Sequence, residues 1–342
     1  MTGATTATRR SRDAPTRPPR SSATRASTTA AIATRLVEAS RRKSFDPFND
    51  VDWSIPIDDS AFHIPPEFLP LYGTRPWKDM SRRERITYSR HECAALCATG
   101  IWLENILMRL VLRHLYAAPA DNEAHRYLLV EVADECRHST MFGEYIRRAG
   151  TPAYRPHRLL RLAGRLMLAT AETTAGFISI LAAEEVLDVN NRAMMNTPGI
   201  HPVAATMARI HVIEEARHVA FARTYLHDEW PRLDWLSRSR GAVLAPIYVK
   251  GTVESLTNPA VYRELGIPGG WRAARSNPHH RQRVAGDLRS LTDLLAELDV
   301  INRWSRPAWS ALGLLPASSP VSAATRTTRA RTTGRLTQVA GG

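Results

Sequence analysis

One unit occurs twice in this 342-residue chain. The first copy is Glu104 followed by Glu135-Cys136-Arg137-His138, and the second is Glu184 followed by Glu215-Ala216-Arg217-His218. In both copies the isolated glutamate precedes the Glu-x-x-His by 31 residues. Glutamate and histidine three apart share one face of an α-helix. A single such pair is ordinarily a surface ion pair or a satisfied core histidine. Two copies in apolar surroundings, at one matched offset, need a common cause. Buried carboxylates and imidazoles are costly without a partner, and a metal ion of the iron, manganese or zinc type suits that mixed donor set.

The units fall on four predicted helices. The first runs over 81–116, opening with Ser81 and Glu84 as a capping box. The second, 122–149, stops at Gly150 before Pro152. The third is expected as one central helix over 158–195, apolar nearly all round. The fourth continues through 203–230 to Pro231. Four helices carrying Glu, Glu-x-x-His, Glu and Glu-x-x-His form the inward ligand pattern of a ferritin-like dimetal bundle. The fold class is therefore all-α: a ferritin-like four-helix bundle with added C-terminal helices and disordered basic termini.

Choices within the acidic clusters follow from helical spacing. Glu215 is preferred to Glu214, being four after His211 and three before His218, and Glu135 is preferred to Asp134 by its spacing to His138. Glu184 is preferred to Glu185 by the repeat alone. Asp188, one turn beyond Glu184, is expected to accept the free N–H of a ligand histidine. Arg137 and Arg217 point off the ligand face, toward outer carboxylates. His211 breaks the symmetry, because Glu131 stands at the corresponding place in the first copy. The candidate metal ligands are Glu104, Glu135, His138, Glu184, His211, Glu215 and His218.

With its extra histidine, His211-x-x-x-Glu215-x-x-His218 resembles the p-aminobenzoate N-oxygenase family of di-iron arylamine oxygenases. The likeness spans roughly residues 80–310 and is most specific at that element. It implies two Fe ions per chain, with Mn or a mixed Fe/Mn pair compatible with the same ligands, and O2 as co-substrate. It further implies oxidation of a small-molecule amine nitrogen to hydroxylamine, nitroso or nitro in secondary metabolism, and a homodimer. No flavin, nicotinamide or iron–sulfur motif is present, so electrons are expected from an external donor protein. A substrate carboxylate would call for a cavity-facing arginine. Residues 91–101 offer none, with Arg90 and Tyr88 the nearest candidates. Ile101, Leu181 and Met207, one turn from ligands, are candidate pocket walls. Two alternatives stay open: a di-iron hydroxylase or oxidase for another small molecule, and a non-enzymatic ferritin-like metal-binding protein.

The net charge of +13 sits at the ends, +8 in residues 1–43 and +4 in residues 318–342. Both ends are rich in Ser, Thr, Ala and Arg with few large apolar residues, so they are expected to be disordered. Arginine almost replaces lysine throughout, with only Lys43, Lys78 and Lys250 present. The basic ends thus read as solvated tails, and neither a nucleic-acid nor a membrane partner is expected. Cys93, Cys97 and Cys136 make no paired framework and fall in predicted buried helices, as reduced thiols of a cytoplasmic protein. The expected organisation is a tail over 1–44, a largely non-helical wrap over 45–80, the ferritin-like oxygenase domain over 81–316 and a second tail over 317–342. Within the domain, a short helix is expected over 244–256, a loop over 266–277 and an amphipathic helix over 283–304.

Overall fold

The computed structural model describes residues 28–170 and 173–315. Its helices are α1 (Thr28–Arg42), α2 (Arg75–Asp79), α3 (Arg82–Ala117), α4 (Glu123–Ala149), α5 (Arg158–Thr170), α6 (Thr173–Asn196), α7 (Pro202–Glu229), α8 (Trp235–Ser255), α9 (Pro259–Glu264), α10 (Gly270–Ser276), α11 (Pro278–Asp287), α12 (Arg289–Glu297) and α13 (Arg306–Ala311). Among the described residues there is no strand, only an isolated bridge between Phe62 and Ile200.

Local chemistry sets the ends of the bundle helices. The Ser81 side chain accepts from the Glu84 N–H while Glu84 accepts from the Ser81 N–H, the reciprocal box that starts α3. Asn122 caps α4, and Gly150 closes it at φ +62°, a left-handed conformation that favours glycine. Pro202 opens α7 where an N–H has no helical partner in any case. The bundle then packs as two hairpin-like pairs, α3 on α4 and α6 on α7, with α3 also meeting α6 and α4 meeting α7. Gly100 allows one close approach, since a Cβ there would meet the Phe142 ring at 3.0 Å.

Two apolar cores form inside this bundle. One contains Leu107, Leu110, Tyr127, Ile178, Leu181, Phe221 and Tyr225, and the other Tyr88, Cys93, Cys97, Met141, Tyr145, Val203 and Met207. On α3, α4 and α7 the candidate ligands fall where one core gives way to the other. The candidate site is thus a polar layer between two dry ones. By length and composition α3 could cross a membrane, but half of its apolar window is buried and it carries buried His91, Glu92 and Glu104, which mark it as a core helix.

Several expectations are corrected. Residues 28–42 belong to no tail: they form α1, which packs on α4 and α7 with Ala33 and Val37 in the core. Its start is fixed by Thr29, whose N–H and hydroxyl both donate to Asp228, at 2.7 and 2.6 Å. Small side chains at i, i+4 and i+8 suffice here because the bundle supplies the rest of the contact. The other expected tail residues, 1–27 and 317–342, lie outside the described ones. The expected helix over 158–195 is seen as α5 and α6, helical up to Thr170 and again from Thr173, with residues 171–172 between them outside the described ones. Over 283–304 the apolar stripe is divided between α11 and α12, and the chain then turns at Asp299, φ 59°. The expected loop over 266–277 contains α10, and the short helix over 244–256 is the end of the longer α8. Cys136 is exposed, unlike Cys93 and Cys97, because the residue after Glu135 points about 100° away from the ligand face.

Candidate metal centre

All seven candidate residues meet in the polar layer, each 3% exposed or less. Glu104 comes from α3, Glu135 and His138 from α4, Glu184 from α6, and His211, Glu215 and His218 from α7. His138 Nδ1 lies 3.0 Å from Glu135 Oε2 and 3.2 Å from Glu215 Oε1. His218 Nδ1 lies 3.0 Å from Glu135 Oε1 and 3.0 Å from Glu215 Oε2. Glu135 and Glu215 therefore stand between the two imidazoles, each within reach of both. His211 Nε2 is 3.9 Å from Glu104 and 3.8 Å from Glu215. Donor atoms of Glu104, His138 and His211 gather within 4.8 Å of one another, as do those of Glu184, His211 and Glu215.

Outer partners decide which nitrogen faces inward. His138 Nε2 is 2.9 Å from Glu214 Oε2, and His218 Nε2 is 3.3 Å from Asp134 Oδ2. A proton held there by each carboxylate leaves Nδ1 as the lone-pair donor toward the centre. Asp134 also accepts from Arg137 and Arg217, and Glu214 accepts from the Phe45 N–H and pairs with Arg217 at 3.6 Å. The two arginines thus meet outer carboxylates. The expected acceptor Asp188 plays no such part, because it pairs with Arg192 one turn on at 2.7 Å. Asp134 and Glu214 take that role instead, each standing one residue before an Nδ1-facing glutamate. Asn191, one turn further along α6, places its amide 3.0 Å from His211 Nδ1. With His211 binding through Nε2, Nδ1–H would donate to that amide's oxygen. Glu185 pairs with Arg223 and takes no part.

The electrostatics of this layer fit cations. Burial pushes the Glu104 and Glu184 carboxyls well above the usual range, and the nearby Glu135 and Glu215 charges add to it. At Glu135 and Glu215 burial acts the same way, but the charges and hydrogen bonds of His138 and His218 overcome it and hold both low. Burial works to lower both of those imidazoles, but the surrounding carboxylates push them well above the ordinary range. His211 is pushed down to about 4, chiefly by burial. Five buried inward atoms, Glu104 Oε2, Glu135 Oε1, Glu184 Oε2, Glu215 Oε1 and His211 Nε2, make no hydrogen bond. Four carboxylates and three imidazoles can satisfy these atoms together by holding two divalent ions in place of protons. The donor chemistry fits the metal pair.

A cavity of about 40 Å3 touches His211. Leu96, Cys97, Phe142, Met194 and Met207 form its apolar wall, and Asn190 and Asn191 are its polar edge. Of the expected pocket walls, only Met207 lines it. Leu181 is core, and Ile101 borders a different, surface cavity. Arg90 faces away, paired with Asp59 at 2.8 Å, and Tyr88 is buried against Tyr262.

Fold and site together define a ferritin-like dimetal protein of the carboxylate-and-histidine kind. Residues 26–299 match the P-aminobenzoate N-oxygenase AurF family, and the chain belongs to that family. It is a di-iron enzyme of the oxygenase type, whose cofactor is two metal ions. An uncharacterized protein of Mycobacterium tuberculosis (strain CDC 1551 / Oshkosh) is 32% identical over 243 residues, 68% of this chain and 71% of the relative. One from Mycobacterium bovis matches to the same extent. A solved R2-like ligand-binding oxidase mutant with an aerobically reconstituted Mn/Fe cofactor is 14% identical, with a TM-score of 0.47 over 77% of this chain and 93% of that one.

Proposed function

We propose that the chain is an O2-dependent N-oxygenase of a small arylamine, working in secondary metabolism. The observation that carries this is His211, an extra imidazole between the metal layer and the apolar cavity. Glu104, Glu135, His138, Glu184, His211, Glu215 and His218 would hold the two ions, with Glu135 and Glu215 shared between them. The bound pair supplies reductive activation of O2. For the first oxidation, the amine, O2, two electrons and two protons give the hydroxylamine and water, with electrons from an external donor protein. Further oxidation leads to nitroso or nitro.

The protein's own residues bind, orient and keep water out. Leu96, Phe142 and Met207 offer an aromatic ring an apolar wall against His211. At about 40 Å3 the cavity holds roughly one water, so substrate binding requires side-chain movement, for which Met194 and Met207 are well suited. No arginine or lysine lines it. The guanidinium of Arg283 reaches Asn190 Oδ1 at 3.4 Å but is already paired with Asp287 at 2.6 Å. This favours an amine without a carboxylate over p-aminobenzoate itself. Turnover of an uncharged arylamine under 18O2 tests the reading. The expected product carries 18O on nitrogen. Ring hydroxylation, or O2 uptake indifferent to amines, would support the alternative of another small-molecule substrate.

The reading also carries a homodimer, a cytoplasmic location and no nucleic-acid or membrane partner. Leu159 and Leu162 on α5 and Trp235, Leu236, Val243 and Ile247 on α8 are large apolar side chains more than half exposed, and α5 packs on α8. A second copy would cover this face. The double variant Leu162→Glu with Ile247→Glu is expected to run as a folded monomer in light scattering. A dimer unaffected by it would place the interface elsewhere.

A further inference from the structure

The two halves of the repeat differ at one inward position. Four residues before Glu215 stands His211, and four before Glu135 stands Glu131. Each lies one helical turn from its glutamate and on the same face. Glu131 is 1% exposed, and one of its oxygens gathers with donor atoms of Glu135 and His218 within 4.8 Å of one another. Its Oε2 makes no hydrogen bond, nor does the Oε1 of Glu135. The arginines on this side, Arg137 and Arg217, are engaged by Asp134. The Oε2 of Glu131 is thus buried with no hydrogen bond to offset its desolvation.

We propose that Glu131 is a further metal-binding side chain, donating a carboxylate oxygen to the ion held by His218. The inference rests on the dimetal reading above and adds an eighth donor to it. Its consequence is an unequal pair of positions. His211 adds a nitrogen donor that lies 4.8 Å ring to ring from His138 and also gathers with Glu184 and Glu215. Glu131 adds an oxygen donor beside His218. Carboxylate donors suit manganese, while imidazole suits iron. The Glu131 oxygen therefore makes the position at His218 harder than it would be without it, and its removal should weaken Mn(II) more than Fe(II). The competing role for Glu131 is a neutral buried acid that only fills space, and an isosteric amide would serve that role equally well.

Two readouts decide between them. Wild type and Glu131→Gln, checked for equal helicity by circular dichroism, are titrated anaerobically with Fe(II) and separately with Mn(II). Bound metal is measured after desalting. Wild type is expected to keep two ions, while Glu131→Gln keeps one firmly and binds the second at least about tenfold more weakly, the loss being larger for Mn(II). Crystals of the Mn-loaded wild type, which need no variant to fold, are expected to show anomalous density at His218 with a Glu131 oxygen at roughly 2 Å. Two ions in Glu131→Gln at wild-type affinity, or a Glu131 oxygen more than about 3 Å from the ion, overturns the proposal while leaving the dimetal reading intact. A wild-type chain that binds no metal pair removes that reading and the proposal with it, and the two proteins then fail alike.

Discussion

Glu215→Gln is expected to abolish retention of the metal pair, with O2-dependent turnover falling to background. Glu215 places one oxygen 3.2 Å from His138 Nδ1 and the other 3.0 Å from His218 Nδ1. It would therefore serve both metal positions from within the buried polar layer. Glutamine preserves shape but removes the negative charge and one anionic donor. The clearest readout is thermal. A ligand at a thousandfold excess over its Kd adds about 4 kcal/mol per site, so ferrous iron under argon should raise the wild-type Tm by many degrees. For Glu215→Gln that rise should nearly vanish. A variant retaining both ions and the full rise would show that Glu215 does not bridge.

Asp134→Ala is the second large effect, and it falls first on stability. Asp134 is fully buried and engages three cationic groups: Arg137, Arg217 and the outer nitrogen of His218. Removing one partner from a buried ionic network costs about 3–5 kcal/mol, or roughly 10 °C in Tm for a chain of this size. Arg217 would keep Glu214, at 3.6 Å, and the Ile213 carbonyl, at 3.5 Å. Losing the acceptor at His218 Nε2 should also weaken metal binding by about 10–100-fold. Burial works to raise the Asp134 pKa, but the hydrogen bond and charge of His218, with Arg137 and Arg217, hold it below the ordinary 3.8. A carboxyl held low stabilises the fold above its unfolded value, and that contribution is lost as pH falls through the folded one. The stability gap between wild type and Asp134→Asn should therefore be full at pH 6 and shrink below about pH 4. A gap independent of pH would show that Asp134 acts by packing alone.

Much of the bundle was legible because its signals are local. The Ser81–Glu84 box, Asn122, Gly150 and Pro202 act within one turn of themselves, and the helices they bound came out within a residue or two. The meeting of the candidate ligands was legible because the chain states the unit twice. What could not be read depends on neighbours far apart in sequence. Asp134 and Glu214 look like rejected alternatives to Glu135 and Glu215, since a residue one position earlier leaves the ligand face by about 100°. Only the contact of α4 with α7 shows that this rotation aims each at the other helix's arginine or histidine. The repeat did hold a clue, because both helices carry an acid at that same offset. Asp188 misled for the converse reason: it sits one turn from Glu184, but Arg192 one turn on captures it at the surface. Helix α1 was hidden because alanine and valine count for little in composition. Their burial comes from α4 and α7 rather than from their own size.

That the polar layer binds two metal ions is tested most directly by anaerobic titration of the full chain with ferrous iron, followed by desalting and metal analysis on the same sample. The expected result is about two irons per chain, retained by wild type and lost from Glu215→Gln. One iron or none in the wild type, with the helical fold intact, would contradict it.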